Sequence, residues 1–125
     1  MIGRPIRLVL DTSAILAFAK GSLHVGETLS EVADNGAAFG LPIACLAAAH
    51  SADHSMLSML TGHPVGVLLT VKVDEWRPWA AMCGLLGRLD AAAALLAASY
   101  ADCDVLTGEP ALYRGLGDDP PIIGV

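Results

Sequence analysis

Short apolar runs alternate along the chain with longer amphipathic or alanine-rich stretches, and that alternation predicts strands and helices in turn. Ile6-Arg7-Leu8-Val9-Leu10, directly after Pro5, is rich in leucine and β-branched residues and reads as a central strand buried on both faces, ending at Asp11. Thr12 and Ser13 offer capping chemistry for a short helix from Ala14 to Lys20, stopped by Gly21-Ser22. A second helix is expected from about Val25 to Asp34, with Asn35-Gly36 as its C-terminal signal. Ala37 to Leu41 reads as a short strand, and Pro42 sits in the first turn of a long helix running to about Leu60, which Thr61-Gly62-His63-Pro64 breaks. Val65 to Val71 is the next apolar run, and Asp74-Glu75 head a helix through Leu86, where acidic residues complement the helix dipole. Gly87-Arg88 punctuates that helix, and Asp90 caps a fifth one over the alanine-rich segment to Ala101. Val105-Leu106 forms a further strand, and Pro121 to Val125 an edge strand after the acidic turn Gly117-Asp118-Asp119.

Strands alternating with helices imply an α/β fold, a three-layer sandwich around a central parallel sheet of four to five strands joined by right-handed crossovers. No repeat or linker divides the chain, so residues 1–125 are expected to form a single domain. The composition is 54% hydrophobic and only 16% charged, which leaves apolar surface for another subunit to cover, and a homodimer is expected. The net charge of -6, with seven scattered Lys and Arg, argues against a broad basic surface for nucleic acid. An acidic nuclease stays open if divalent cations screen the phosphate. Cys45, Cys83 and Cys103 are odd in number, lack paired metal-ligand spacing and lie in apolar contexts, as reduced thiols of a cytoplasmic protein do. No stretch approaches the ~18 to 20 uninterrupted apolar residues of a membrane span, and Met1 to Pro5 lack the design of a signal peptide.

Three acids stand where an apolar run meets a helix start or a turn: Asp11 after the first strand, Asp90 at the head of the alanine-rich helix, and Glu109 after Val105-Leu106-Thr107-Gly108. An open α/β sheet presents its functional side chains at such places. Carboxylates converging there repel one another unless protons or a hard cation neutralise them, and Mg²⁺ or Mn²⁺ takes oxygen ligands in that way. Such an ion lowers the pKa of a bound water and stabilises charge developing on a phosphoryl group.

Four segments then matter together: Leu8 to Leu16 around Asp11, Leu41 to Ala49, Leu89 to Ala94 around Asp90, and Val105 to Pro110 around Glu109. Their order and spacing resemble the PIN-domain family, small metal-dependent ribonucleases that include the toxins of VapBC-type toxin–antitoxin pairs, and the resemblance covers nearly the whole chain. It implies a metal site for Mg²⁺ or Mn²⁺ made by Asp11, Asp90 and Glu109, with the Ser13 and Thr107 hydroxyls near the metal, an RNA substrate and an antitoxin-like protein partner. Glu109 stands where the family's final Thr-x-Asp motif has the shorter acid. The main departure is Ala48, where active members carry a Glu on the third helix. Its neighbours on one helix face, Ala44, Cys45, Ser51 and Ala52, offer no replacement carboxylate. The resemblance therefore implies a weakened ribonuclease or, alternatively, a catalytically degenerate PIN domain acting as a protein- or RNA-binding module.

Each acid also has a structural explanation: Asp11 and Asp90 as helix caps, Glu109 as a solvated turn residue. His50 and His54, with Asp53 close by, have Zn²⁺-like helical spacing but no third ligand. The PIN resemblance implies that the helix carrying His24 and Glu27 lies near the mouth of the acidic pocket, and Trp76, Trp79, Met82, Cys83 and Leu86 form a stripe suited to core or interface. Ser13 has no neighbouring base and the cysteines no histidine partner, so no covalent chemistry is expected. The Asp-Thr-Ser turn after the first strand leads to no glycine-rich phosphate loop, which disfavours a nucleotide binder.

Overall fold

Five parallel strands form the centre of the described molecule: β1 (Ile6–Leu10), β2 (Ala38–Pro42), β3 (Gly66–Leu69), β4 (Asp104–Thr107) and β5 (Ile122–Gly124), ordered β3-β2-β1-β4-β5. The structure is a computed structural model and describes residues 3–52 and 57–125. Central and edge strands differ as their sequences do. Leu8, Val9 and Leu10 of β1 and all of β2 are buried, as strands covered on both faces must be, whereas β3 and β5 at the edges are largely exposed. Val9 pairs with Gly40 on one side and Val105 on the other, and Leu10 with Leu106, so β1 and β4 end level.

Six α-helices are described: α1 (Thr12–Ala19), α2 (Leu23–Asp34), α3 (Ile43–Ala52), α4 (Leu57–Thr61), α5 (Trp76–Leu86) and α6 (Leu89–Ala101), with 3₁₀ turns at Val73–Glu75 and Pro110–Leu116. From β1 to β2 to β3 the chain moves toward one edge, and it then crosses back to build β4 and β5 on the other side. Right-handed crossovers put the helices of these two halves on opposite faces. The strand order therefore reverses between β1 and β4, and the crevice outside their carboxyl ends is where an open α/β sheet holds its functional groups.

Helix α6 packs across β1, β2 and β4. Its run Ala91 to Leu96 is buried, the small alanines letting the helix axis approach the sheet closely. No single helix among the described residues is long and apolar enough to cross a membrane.

Several boundaries differ from the sequence expectation. Helix α1 starts at Thr12 with Asp11 as its N-cap, so Thr12 and Ser13 lie inside the helix and do not cap it. Pro42 is the last residue of β2, not part of the first turn of α3, which begins at Ile43. Asp90 is not the N-cap of its helix. Gly87 ends α5 in the left-handed region at φ 77°, the chain turns through 120°, and α6 starts at Leu89 with Arg88 as N-cap, which leaves Asp90 inside the first turn. The long third helix expected to reach Leu60 is seen as α3 and α4, and residues 53–56 between them lie outside those described.

Candidate functional site

Asp11 sits at the carboxyl end of β1 with backbone angles φ -84° and ψ 179°, and its N–H continues the sheet pairing to the Leu106 carbonyl at 3.2 Å. From there its carboxylate N-caps α1, Oδ1 accepting from the Ala14 N–H at 3.0 Å and from Ser13 Oγ at 2.7 Å. The other oxygen, Oδ2, accepts from the Tyr113 hydroxyl at 2.8 Å. Only 1% of Asp11 is exposed, so this carboxylate is held by three donors of its own chain away from solvent. Tyr113, on the 3₁₀ segment Pro110–Leu116, is fully buried; that burial, and then the negative Asp11 beside it, push its hydroxyl far above the usual tyrosine range.

Ser13 links this group to the end of β4. Its single proton goes to Asp11, because a carboxylate can only accept, and its oxygen takes the Gly108 N–H at 2.8 Å. The 3.2 Å contact between Ser13 and Thr107 must then be donated by Thr107. Thr107 Oγ1 in turn accepts from the Glu109 N–H at 3.0 Å, which fixes the turn carrying the Glu109 side chain. The two hydroxyls singled out in the sequence thus tie the β1 and β4 ends together.

Asp90 reaches the same edge from α6. Thr12 Oγ1 donates to its Oδ2 at 2.6 Å, and Arg88 grips both oxygens side-on, Nε to Oδ1 at 3.1 Å and Nη2 to Oδ2 at 2.6 Å. The remaining guanidinium nitrogen, Nη1, lies 3.6 Å from Glu109 Oε2. Burial alone would raise the Asp90 pKa, but the hydrogen bonds from Arg88 and Thr12 outweigh it and hold the carboxyl below its ordinary value. The same pairing with Asp90 raises Arg88.

Ala48 faces this assembly. Together with Ala44, Trp79, Arg88, Leu89 and Asp90 it lines an open recess of about 440 Å³, so the helix position left without an acid does look onto the Arg88–Asp90 pair. Cys45, one turn earlier, donates its thiol to the Asp90 carbonyl at 3.1 Å, and burial pushes that thiol up to about 12. It is a packed donor, not a nucleophile.

Topology brings Asp11, Asp90 and Glu109 to one edge, yet their carboxylates are turned to separate partners. Asp11 faces Tyr113, Ser13 and the α1 N-terminus, while Asp90 and Glu109 flank Arg88. Among the described residues no three His, Cys, Asp or Glu side chains are grouped so as to hold a metal ion. As arranged, the three carboxylates form no shared ligand set for Mg²⁺ or Mn²⁺: every Asp11 and Asp90 oxygen accepts at least one hydrogen bond from the chain itself, and position 48 supplies no ligand. His24 and Glu27 are exposed on α2, and among the described residues no hydrogen bond or ion pair joins them to this edge. The His50 and His54 pair with Asp53 falls partly outside the described residues. Arg88 and Tyr113 are the members that the sequence did not disclose. Arg88 stands two positions before Asp90, a local signal hidden by its role as helix punctuation, whereas nothing in the spacing links Tyr113 to Asp11.

The fold and edge define a PIN-like α/β domain with an acidic, self-bonded switch-point crevice. Among solved structures the chain is similar to a toxin–antitoxin complex from Klebsiella pneumoniae, with a TM-score of 0.67 and 11% identity over 93% of this chain and 95% of that one. No family model matches the sequence, and no curated protein matches it. At that identity the likeness speaks for the fold.

Proposed function

We propose that the chain is a toxin–antitoxin-type, PIN-like domain that acts by binding a protein partner and not by metal-dependent cutting of RNA. The observation that carries this is the occupation of the acidic edge by the chain's own donors: Arg88 between Asp90 and Glu109, and Tyr113, Ser13 and the Ala14 N–H on Asp11. Support for a protein partner comes from a cavity of about 750 Å³ formed chiefly by apolar side chains of α3, α6 and the end of β3, including Ile43, Ala47, Leu69, Ala97 and Tyr100, with Lys72 and Glu75 at its lining. Ile43 is 48% and Tyr100 64% exposed, so the apolar lining reaches solvent. An antitoxin-like segment with an apolar face and charged flanks matches that lining. RNA receives no comparable help from a surface of net charge -6.

One observation favours a divalent-metal-dependent ribonuclease instead: Asp11, Asp90 and Glu109 are all carried to one edge of the sheet, and the Ser13 and Thr107 hydroxyls link Asp11 to the turn that carries Glu109. Incubating the protein with RNA in Mg²⁺ and in Mn²⁺ decides between them. The binding module shows no cleavage above that of Asp11→Ala, whereas cleavage present in the wild type and lost in Asp11→Ala would defeat the proposal.

A further inference from the structure

Arg88 is held in place by its backbone before its side chain is considered. Gly87 turns the chain in a left-handed conformation, Arg88 follows with extended angles φ -141° and ψ 132°, and its carbonyl accepts the Ala92 N–H at 3.1 Å as the first bond of α6. The side chain leaves this fixed point and reaches Asp90 in the first turn of the helix. Its planar fork then uses Nε and Nη2 on Asp90 and leaves Nη1 toward Glu109, so the positive charge stands between two carboxylates contributed by α6 and by the turn after β4.

A divalent cation bridging those two acids would be drawn to the same space, and like charges exclude one another there. Two further facts favour the guanidinium. It is tethered to the chain, so it is present at high effective concentration and loses little freedom on pairing. A small hard ion must instead shed tightly held water, and Ala48 returns no oxygen to it.

Resting on the reading given under the proposed function, we propose that Arg88 is the resident cation of this site and that Arg88 and Ala48 form one arrangement, a tethered positive charge matched to a missing negative one. An acid restored at position 48 is thus insufficient to create a metal site while Arg88 remains, and removing Arg88 opens it.

The test is Mn²⁺ titration by calorimetry of four proteins: wild type, Ala48→Glu, Arg88→Gln, and the double variant. The double variant should bind one Mn²⁺ at least roughly tenfold more tightly than Ala48→Glu alone. Circular dichroism confirms that each variant is folded. If Arg88→Gln is not, Arg88→Lys, which keeps the charge without the side-on fork, should tighten Mn²⁺ binding by an intermediate amount in the Ala48→Glu background. Equal affinity with and without Arg88, or no binding by a folded double variant, overturns the inference. Saturable binding by the wild type counts against the binding-module reading, and the ratio on Arg88→Gln then judges Arg88 by itself.

Discussion

Tyr113 donates to Asp11 across 102 positions of sequence, and the consequence is a buried carboxylate whose second oxygen depends on one hydroxyl. Tyr113→Phe keeps the ring in the core and removes only that donor. An unsatisfied buried acceptor costs about 1–3 kcal/mol, so the urea midpoint should fall while the denaturant slope stays the same. An unchanged midpoint would show that the hydroxyl contributes nothing. Asp90 gives a pH signature of definite sign. Its folded pKa lies below the ordinary 3.8, so the stability from its pairing is fully present above that value and is lost as pH falls through the folded pKa. Because the Arg88 side chain is 39% exposed, the contribution is screened and amounts to about 1 kcal/mol. Unfolding measured from neutral pH to below 3.8 should show the wild-type advantage over Asp90→Asn shrinking as acid is added, and a constant difference would remove the pair from the account.

At the scale of elements, legibility followed burial. The strands β1, β2 and β4 were readable because a run covered on both faces must be continuously apolar, and the α/β alternation then specified a parallel sheet. The carboxyl-end positions of Asp11 and Glu109 were readable for the same reason, since each acid marks where such a run stops. Helix starts were less so. Asp90 looks like a cap by residue type, but the left-handed turn at Gly87 sets the helix start and moves the cap to Arg88. The Tyr113 segment has too little periodicity to announce a 3₁₀ turn, and no local pattern points its hydroxyl at Asp11. What the carboxylates bind was not readable at all. Thr12 reaches Asp90 over 78 residues and Gly108 reaches Ser13 over 95, and such partners are chosen by how helices dock at the sheet edge, which no local pattern records.

The whole molecule combines a parallel α/β sheet whose strand order reverses at its centre with a crevice whose acids already have partners in the chain. Strand order places the switch point between β1 and β4, and this architecture is shared with the toxin–antitoxin complex at 11% identity. A fold shared at that distance leaves function to the site, and three linked features mark the site here: Ala48 supplies no acid, Arg88 supplies a charge, and Tyr113 bonds Asp11 from within. On the proposed reading, the apolar cavity of about 750 Å³ beside α3 and α6 is the surface that meets a protein partner. Anomalous diffraction from a crystal soaked in millimolar Mn²⁺ tests the central claim most directly. The account predicts no anomalous peak between Asp11, Asp90 and Glu109, with the Arg88 guanidinium resting on Asp90. A peak shared by those carboxylates, with Arg88 swung away, would contradict it.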